Sequence, residues 1–472
     1  MVHSQAHGTD SETASRDVPG GHFHLRGHTP HPSSATVAAA LAHAFLAAPA
    51  WTADGLIAAG TQVLGVRRRW LGPLVSSVIG AYHYKPADAP RELAAYIGQS
   101  DSFAGAVAKA LTQRKPLRIA RYVLAEPEQR QGTHPVPAIA GLAQLARVLG
   151  LTLGQLEWFA DTGHWNRLAG KGPLQHYRYK WLVRPGRTPR LLEIPGLRLR
   201  AIQRKVLQEL LSPLPLHDGA HGFVPGRSAV SGATQHVGSD TVISLDLTSF
   251  FATVTAGKVF GILRQAGYPE AVAHTLTGLS THVVPPWVIT SMPAGGSSAE
   301  RFALAQSLRI PHLPQGAPAS PMLANLALRR LDSRLQGWAE KADTRYTRYA
   351  DDLSFSGGTS LIQRADSFIR GVSVIVADEG HLLNERKTRV RSASTRQQVT
   401  GIVVNQRTNM PRRDFDALKA TLHNCVVHGP ETQNQAGHTD FRAHLLGRIT
   451  WLEFLNPTRA IRLRRDFEKI RW

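Results

Sequence analysis

The sequence predicts an α+β fold in which a helical N-terminal region precedes a region of alternating strands and helices. Apolar residues recur at helical spacing in Thr36–Leu46 and again in Val136–Phe159. Strand-like segments bounded by turn residues begin near Tyr177, and the tail from about Pro411 is again helical and rich in arginine. With 472 residues, the chain is long enough for two or three domains.

These changes of composition divide the chain into four regions. Residues 1–35 are polar and rich in His, Ser, Thr and Gly, which predicts a disordered arm. Residues 36–170 form a helical extension, residues 171–405 hold the mixed strands and helices, and residues 406–472 form a basic helical tail. Two short helices near the end of the extension could form a helix-turn-helix, but such pairs are common in any helical bundle.

The composition is strongly basic. Lys and Arg total 55 against 34 Asp and Glu, which gives a net charge of +21. Such an excess favours an anionic partner, above all nucleic acid, but a solvated basic surface would have the same composition. Cys425 is the single cysteine, which excludes an internal disulfide and a cysteine-based zinc site and fits a reducing cytoplasm. His43 and Pro49 interrupt the Ala-rich run of residues 35–50, which predicts a buried helix rather than a membrane span.

Turn and cap residues define the elements of the mixed region in chain order. Pro185-Gly186-Arg187 predicts a hairpin turn between the strands Tyr177–Val183 and Arg190–Ile194. Ser320-Pro321 predicts a helix start, with Ser as the N-cap and Pro at the first helical position. The remaining segments are the helices Arg198–Leu211 and Lys258–Ala266, the strand Val242–Leu247 and two short strands within Tyr346–Ser356.

Two groups of carboxylates lie at strand ends. Because side chains alternate across a strand, Asp246 lies on the opposite face from Ile243 and Leu245, which by itself is an ordinary strand terminus. The adjacent Asp351 and Asp352 lie between two core strands, where like charges repel unless a cation offsets them. A hairpin that presents two carboxylates to a cleft suits Mg²⁺, and a third carboxylate from a neighbouring strand would complete a two-metal site.

Three segments resemble the motifs of reverse transcriptases in the same order and with similar spacing. Tyr349-Ala350-Asp351-Asp352 resembles the motif that carries two of the three palm aspartates, and residues 246–251 resemble the motif that carries the first. Residues 313–321 are similar to the motif between them. The resemblance covers roughly residues 177 to 455. It implies a right-hand polymerase with a ferredoxin-like palm, in which residues 171–405 form fingers and palm and residues 406–472 form the thumb.

The resemblance also implies roles for single residues. Asp246, Asp351 and Asp352 are implied to be catalytic and to bind two Mg²⁺ ions, for which Mn²⁺ could substitute, with the Leu247 carbonyl as a further ligand. The residues implied to bind the incoming dNTP are Arg184, Arg190, Phe251, Gln315 and Lys387. Phe251 corresponds to the aromatic residue that excludes the ribose 2′-hydroxyl, and Lys387 to the lysine beside the leaving pyrophosphate. Without the resemblance, the two arginines and the lysine are ordinary solvated side chains.

Two further segments resemble signatures of the retron subtype. Val399-Thr400-Gly401 matches one of them, whereas in the other, an Asn-Ala-x-x-His pattern, Ala233 and His236 match but Gly232 replaces Asn. The helical extension ahead of residues 176–179 resembles the longer retron enzymes of myxobacteria and their relatives. The chain is therefore expected to be a bacterial, cytoplasmic enzyme without a membrane partner.

The retron resemblance implies a specific product and specific partners. The enzyme would begin DNA synthesis from the 2′-hydroxyl of an internal guanosine of a cognate structured non-coding RNA and copy part of that RNA into single-stranded DNA, which stays joined to it by a 2′–5′ branch. The residues implied to contact the RNA are His236, Val399, Thr400, Gly401, Arg462 and Arg465. A separate effector protein and a role in anti-phage defence are also implied.

Other interpretations compete with this one. The first is a group II intron-like, diversity-generating or other bacterial reverse transcriptase; the chain ends soon after the thumb without a Cys-His nuclease domain, and the Gln315 loop has the ordinary form. The second is a non-catalytic RNA-binding scaffold, which the three aspartates disfavour. The third is an RNA-dependent RNA polymerase, which Phe251 disfavours.

Overall fold

The computed structural model describes residues 32–127, 136–170 and 172–472. These residues fall into two compact units, one ending at Ala125 and the other beginning at Glu126. Of the arm predicted over residues 1–35, residues 1–31 lie outside the described part of the chain.

The first unit is a helical bundle around its own apolar core. Ser33 and Thr52 cap the first two helices, each accepting a hydrogen bond from a backbone amide of the first turn. Leu41 and Phe45 of the first helix are fully buried, so the predicted buried helix in the Ala-rich run is confirmed. The helices are α1 (Ser34–Ala47), α2 (Ala53–Leu64), α3 (Leu71–Ala81), α4 (Pro90–Gln99) and α5 (Asp101–Thr112).

The second unit begins with three short helices, the first two of which contribute apolar side chains to its core. They are α6 (Leu142–Leu149), α7 (Leu153–Ala160) and α8 (Trp165–Leu168). Leu145 and Leu156 are buried in the same cluster as the later strands and helices. The composition predicted one helical extension over residues 36–170. Because Leu145 and Leu156 pack in the core of the second unit, the boundary between the units falls inside that region.

A two-stranded hairpin follows, as predicted. β1 (Tyr177–Leu182) and β2 (Arg190–Pro195) pair antiparallel, with Tyr177 opposite Pro195. The predicted helix 198–211 is present as α9 (Leu197–Lys205), which continues as a wider π-helical turn over Val206–Leu211.

The helices of the mixed region are α10 (Ala229–Thr234), α11 (Ala256–Gln265), α12 (Glu270–Ser280), α13 (Pro286–Thr290), α14 (Ser298–Leu308), α15 (Ser320–Ala327), α16 (Arg329–Lys341), α17 (Ser360–Gln363) and α18 (Ala365–Asp378). The predicted N-cap at the start of α15 is wrong. Ala319 is the N-cap, and the Ser320 hydroxyl instead donates to the Pro314 carbonyl at 2.8 Å. The Ser320 hydroxyl thus stabilises the preceding loop rather than capping the helix.

A four-stranded antiparallel sheet lies at the centre of the second unit. Its strands are β3 (Thr241–Asp246), β4 (Thr344–Tyr349), β5 (Asp352–Gly357) and β6 (Arg389–Ser392), in the order β4-β5-β3-β6. On one face Tyr346 and Phe355 pack against α16 and α18, with Phe355 5.1 Å from Phe368 between ring centroids. The other face carries small polar side chains, among them Ser354 and Ser356, and Asp352 lies on this same face at the start of β5.

The C-terminal part forms a second core around a short hairpin. β7 (Gln398–Val399) and β8 (Ile402–Val403) pack with α19 (Arg412–His428), α20 (Phe441–Leu455) and α21 (Pro457–Glu468). The helical tail predicted from about Pro411 is therefore confirmed. Among the helices of the described residues, none combines the length and the apolar character that crossing a bilayer requires.

Candidate active site

The register of β3 and β5 brings the aspartates together. Asp246, the last residue of β3, lies directly opposite Asp352, the first residue of β5. Asp351 occupies the two-residue turn between β4 and β5, beside Ala350. Residues from sequence positions more than 100 apart therefore meet at one end of the sheet, because antiparallel pairing places the end of one strand against the start of the other.

The backbone around these carboxylates is held on both sides. The Leu247 amide donates to the Asp351 carbonyl at 2.9 Å, which extends the β3–β5 pairing past the strand end. On the opposite side, the Asn384 amide donates to the Asp246 carbonyl at 2.7 Å and the Thr248 amide donates to the Leu382 carbonyl at 2.8 Å. The predicted extra ligand, Leu247, thus has a buried side chain and a backbone fixed beside the aspartates.

The electrostatics of the site reflect three carboxylates in close proximity. Partial burial first, and then the carboxylates of Asp351 and Asp246, raise the pKa of Asp352 to about 6. Burial and then Asp246 raise the pKa of Asp351, while Lys387 and Arg190 act in the opposite direction. The Lys387 ammonium contacts Asp246 Oδ1 at 2.6 Å. Among the residues that the structure describes, one lysine and one arginine thus act on three acidic groups here.

This donor set has the chemistry of a divalent-cation site. Carboxylate oxygens are the ligands that Mg²⁺ and Mn²⁺ prefer, and a divalent cation would offset the repulsion that, after burial, raises the pKa values of Asp351 and Asp352. Within the part of the chain that the structure describes, no group of three or more His, Cys, Asp or Glu side chains is arranged so that it could hold a metal ion as it stands. In this arrangement the Lys387 ammonium supplies the positive charge beside Asp246.

The two arginines of the β1–β2 hairpin differ in their relation to the site. Arg190 begins β2 and is close enough to Asp351 to lower the pKa of that carboxyl against the larger effect of burial. Arg184 is exposed in the turn, where its carbonyl accepts from the Arg187 amide at 3.1 Å. Arg190 therefore lies near the aspartates, whereas the structure shows no contact between Arg184 and them.

The predicted nucleotide residues Phe251 and Gln315 lie on loops that the core holds in place. Phe250 is buried in the core, whereas Phe251 is half-buried, with ring centroids 4.9 Å apart. The Gln315 carbonyl accepts from the Glu193 amide at 2.9 Å. At Gly316, where φ is +129°, a Cβ would lie 3.0 Å from the Glu193 carbonyl oxygen. Glycine is needed at that position because the loop runs tightly against β2.

The structure places His236 where it cannot touch a ligand. Its side chain is fully buried, with Nδ1 2.8 Å from Ser356 Oγ and Nε2 2.7 Å from Thr347 Oγ1. Burial first lowers its pKa to about 4, so the ring is neutral at pH 7. Direct RNA contact by His236, expected from the retron signature, is at odds with this position; the ring instead joins β4 to β5 under α10.

The retron signature Val399-Thr400-Gly401 has a divided role. Val399 is buried in the C-terminal core, so its side chain is not available to RNA. Thr400 (φ 50°) and Gly401 (φ 83°) form the left-handed turn between β7 and β8. They line a surface groove with Arg448 and Trp451 of α20. Arg462 and Arg465 are exposed on α21, three residues apart on one side of that helix.

Sequence reasoning missed the polar residues that lie beneath the aspartates. Arg348 of β4, Asp332 of α16 and Asn325 of α15 are buried and joined by hydrogen bonds. Gly222 lies against the turn that carries Asp351. One signal was available: Arg348 shares the strand parity of Tyr346, so a charged side chain falls on a face that otherwise reads as core.

Comparisons with known proteins agree with this geometry. Residues 184–404 match the family described as Reverse transcriptase (RNA-dependent DNA polymerase), a segment that includes all three aspartates and Lys387. Retron Mx65 reverse transcriptase of Myxococcus xanthus is 36% identical over 330 residues, which cover 68% of this chain and 70% of the relative.

Two other relatives point in the same direction. Retron Mx162 reverse transcriptase of Myxococcus xanthus is 34% identical over 316 residues, which cover 63% of this chain and 61% of the relative. Retron Ec86 reverse transcriptase of Escherichia coli is 31% identical over 241 residues, which cover 51% of this chain and 66% of the relative. The similarity thus extends beyond the catalytic motifs in each case.

Proposed function

Since the chain belongs to the retron reverse transcriptases and is an RNA-directed DNA polymerase, we propose that it copies part of a cognate structured RNA into single-stranded DNA. The DNA remains joined to the RNA by a 2′–5′ bond. The observation that carries the catalytic part of this proposal is the meeting of Asp246, Asp351 and Asp352 at one end of the sheet, beside Lys387.

The proposed chemistry is transfer of a nucleotidyl group to a hydroxyl. The three aspartates and the Leu247 carbonyl would hold Mg²⁺, which when bound would activate the attacking hydroxyl and neutralise charge on the triphosphate. Lys387 lies 2.6 Å from Asp246 Oδ1, and it would hold or protonate the leaving pyrophosphate once Asp246 binds a metal ion. Arg190 approaches the same site from β2 and would grip the triphosphate through paired N–H donors.

The family match implies a palm-type polymerase fold. We assign the four-stranded sheet with α16 and α18 to the palm, the β1–β2 hairpin with Arg184 and Arg190 to the fingers, and α19–α21 to the thumb. In this assignment Gln315 stands beside the incoming nucleotide, on the loop that Glu193 holds from the fingers side.

Replacing Phe251 with Ala is expected to relax the choice of sugar. A half-buried ring held by Phe250 has little freedom to yield, so it would clash with a ribose 2′-hydroxyl. We expect the preference for dNTPs over NTPs, measured as the ratio of kcat/KM values, to fall by roughly tenfold to a hundredfold. Phe251→Tyr, which keeps the bulky ring, is the matched control and should retain the preference. Equal ratios in Phe251→Ala and wild type would contradict the assignment.

RNA recognition is assigned to the C-terminal part of the chain. The groove formed by Thr400, Gly401, Arg448 and Trp451 offers a guanidinium, an indole and a backbone turn, which suit an unpaired base and its phosphate. Arg462 and Arg465 add positive charge on α21. The net charge of +21 supports a large polyanionic partner.

The proposal is tested by DNA synthesis on the RNA transcribed beside the gene. Purified protein, that RNA, Mg²⁺ and dNTPs should give a DNA product that shifts in size when ribonuclease is added. Replacing each candidate guanosine of a synthetic RNA by 2′-deoxyguanosine should abolish the product at a single position, because that 2′-hydroxyl is the primer. The Asp351→Ala, Asp352→Ala variant is the negative control.

Two outcomes would contradict different parts of this proposal. A product primed from a 3′-hydroxyl, unaffected by every 2′-deoxyguanosine substitution, would contradict the branched product while leaving the polymerase assignment in place. A product equally abundant with the double-alanine variant would contradict the catalytic assignment itself. We also propose that the enzyme acts in anti-phage defence with a separate effector protein, which deletion of the neighbouring genes followed by phage challenge would test.

A further inference from the structure

A buried arginine lies directly beneath the turn that carries Asp351. Arg348 is two residues before Ala350 on β4, and its side chain is fully buried on the helix-packed face of the sheet. Its Nη2 lies 2.6 Å from Asp332 Oδ2 and its Nε lies 2.7 Å from Asp332 Oδ1. Its Nη1 donates to Asn325 Oδ1 at 2.9 Å and to the Ala350 carbonyl at 3.1 Å.

The partners of Arg348 extend this contact to a second loop. Tyr346 donates its hydroxyl to Asp332 Oδ1 at 2.7 Å, and burial followed by Asp332 raises the pKa of that hydroxyl well above its ordinary value, so it keeps its proton. Asn325 donates to the Gly222 carbonyl at 2.8 Å. The backbone amide of Arg348 also donates to the Gly219 carbonyl at 2.7 Å. Loop 219–222 and the turn are thus both tied to Arg348, the loop through the Arg348 backbone and through Asn325, the turn through the guanidinium.

The buried ion pair of Arg348 and Asp332 contributes little net stability to the fold, which favours a second role for it. A buried ion pair is often no more stabilising than apolar side chains of similar volume, because both charges lose their water. Ala350 adopts a left-handed conformation (φ 55°), which is unfavourable for a residue with a Cβ. Strain of this kind persists only where the surroundings impose it. The contact from Arg348 to the Ala350 carbonyl is one of the interactions that impose it.

We propose that Arg348 is a positioning residue for nucleotidyl transfer. Asp332 and Asn325 fix its guanidinium, and the guanidinium holds the Ala350-Asp351 turn through the Ala350 carbonyl so that Asp351 and Asp352 face Asp246. The inference rests on the proposed function of the three aspartates as metal ligands. Arg348 itself touches neither nucleotide nor metal. It acts through the backbone of the turn, as residues behind metal ligands commonly do.

The test compares variants that remove the network without leaving an unpaired buried charge. Arg348→Met combined with Asp332→Leu removes both charges at once, and Arg348→Lys keeps the charge but cannot contact Asp332, Asn325 and Ala350 together. Gln203→Met is the matched control, because Gln203 is a fully buried polar residue that bonds Tyr177 and Leu279 away from the turn. Thermal unfolding of all variants separates a loss of stability from a displacement of the Ala350-Asp351 turn.

Four readouts distinguish a positioning role from a structural one. Mn²⁺ affinity, measured by electron paramagnetic resonance on the protein alone, and kcat should each fall by about tenfold to a hundredfold in the double variant. Hydrogen exchange at the amides of residues 349–353 should become faster, while KM for dNTP changes little. Arg348→Lys should show the same direction with a smaller effect. Gln203→Met should lower only the unfolding temperature.

The outcomes separate this inference from the proposed function. Wild-type Mn²⁺ affinity, exchange and kcat in the folded double variant would overturn the inference. If the double variant fails to fold, the Arg348→Lys variant provides the test. Wild-type Mn²⁺ affinity, amide exchange and kcat in Arg348→Lys would then overturn the inference. If wild-type protein binds Mn²⁺ but makes no DNA on RNA, the proposed function fails, while the binding and exchange measurements still test the role of Arg348.

Discussion

Replacing Asp351 with Asn is expected to lower the rate of DNA synthesis by about a thousandfold or more, because one charged metal ligand is lost and several kcal/mol of transition-state stabilisation with it. The Asn side chain has nearly the same shape, and the turn is held through backbone contacts to Leu247 and Arg348 rather than through the carboxylate. Single-turnover rates with dNTP at saturating Mg²⁺ give the measurement. A rate within tenfold of wild type would contradict the assignment.

The same substitution should make the metal-free protein more stable. The raised pKa of Asp351 means that its charged form is less favourable in the folded chain than in the unfolded chain. At pH 7, removing that charge should therefore raise the unfolding temperature in a buffer with a chelator. Mg²⁺ should raise the unfolding temperature of wild type more than that of Asp351→Asn. Opposite changes in activity and stability are typical of a site arranged for function.

Replacing Gly222 with Ala is expected to have the second largest effect. A Cβ at this position would lie 2.6 Å from the Ala350 amide nitrogen and 3.1 Å from the Tyr349 carbonyl carbon. Both are backbone atoms that cannot rotate away, so either loop 219–222 or the turn must shift. We expect a loss of about 1–3 kcal/mol in the free energy of unfolding. We also expect roughly a hundredfold loss in kcat, since a shift of about 1 Å in reacting groups has that consequence.

Gly261→Ala is the matched control for this prediction. Gly261 lies in α11, and a Cβ there meets no atom within 4 Å. Alanine should leave activity unchanged and raise the free energy of unfolding by up to about 1 kcal/mol, because it restricts the unfolded chain and favours the helix. Wild-type kcat in Gly222→Ala would show that the turn tolerates the displacement and that its position matters less than the contacts indicate.

Much of the local structure could be predicted from the sequence because it depends on nearby residues. The alternation in residues 242–247, the turn residues around Gly186 and the paired aspartates within strand residues all predict elements that the structure contains. The start of α15 is the exception. Ser320 has the chemistry of an N-cap, but a carbonyl six residues back, on Pro314, competes successfully for its hydroxyl.

His236 shows where a motif is insufficient. The sequence pattern identifies the residue but not the side to which it points, and both of its ring nitrogens bond side chains more than 100 positions away. Val399 is similar: it belongs to a signature, yet it packs in the core while its neighbours Thr400 and Gly401 line the groove. A residue of a sequence signature can therefore contribute to ligand binding indirectly, by packing in the core and so positioning the residues next to it in the chain.

The sequence by itself determined the order of the helical and mixed regions, the net positive charge and the carboxylates at positions 246, 351 and 352, because these depend on residue identity and short-range periodicity. Only the tertiary structure decided which side chains meet. The register that sets Asp246 against Asp352 and the buried contacts of Arg348 with Asp332 and Asn325 depend on pairing between distant segments. Those contacts arise from packing and strand register, which local patterns do not encode.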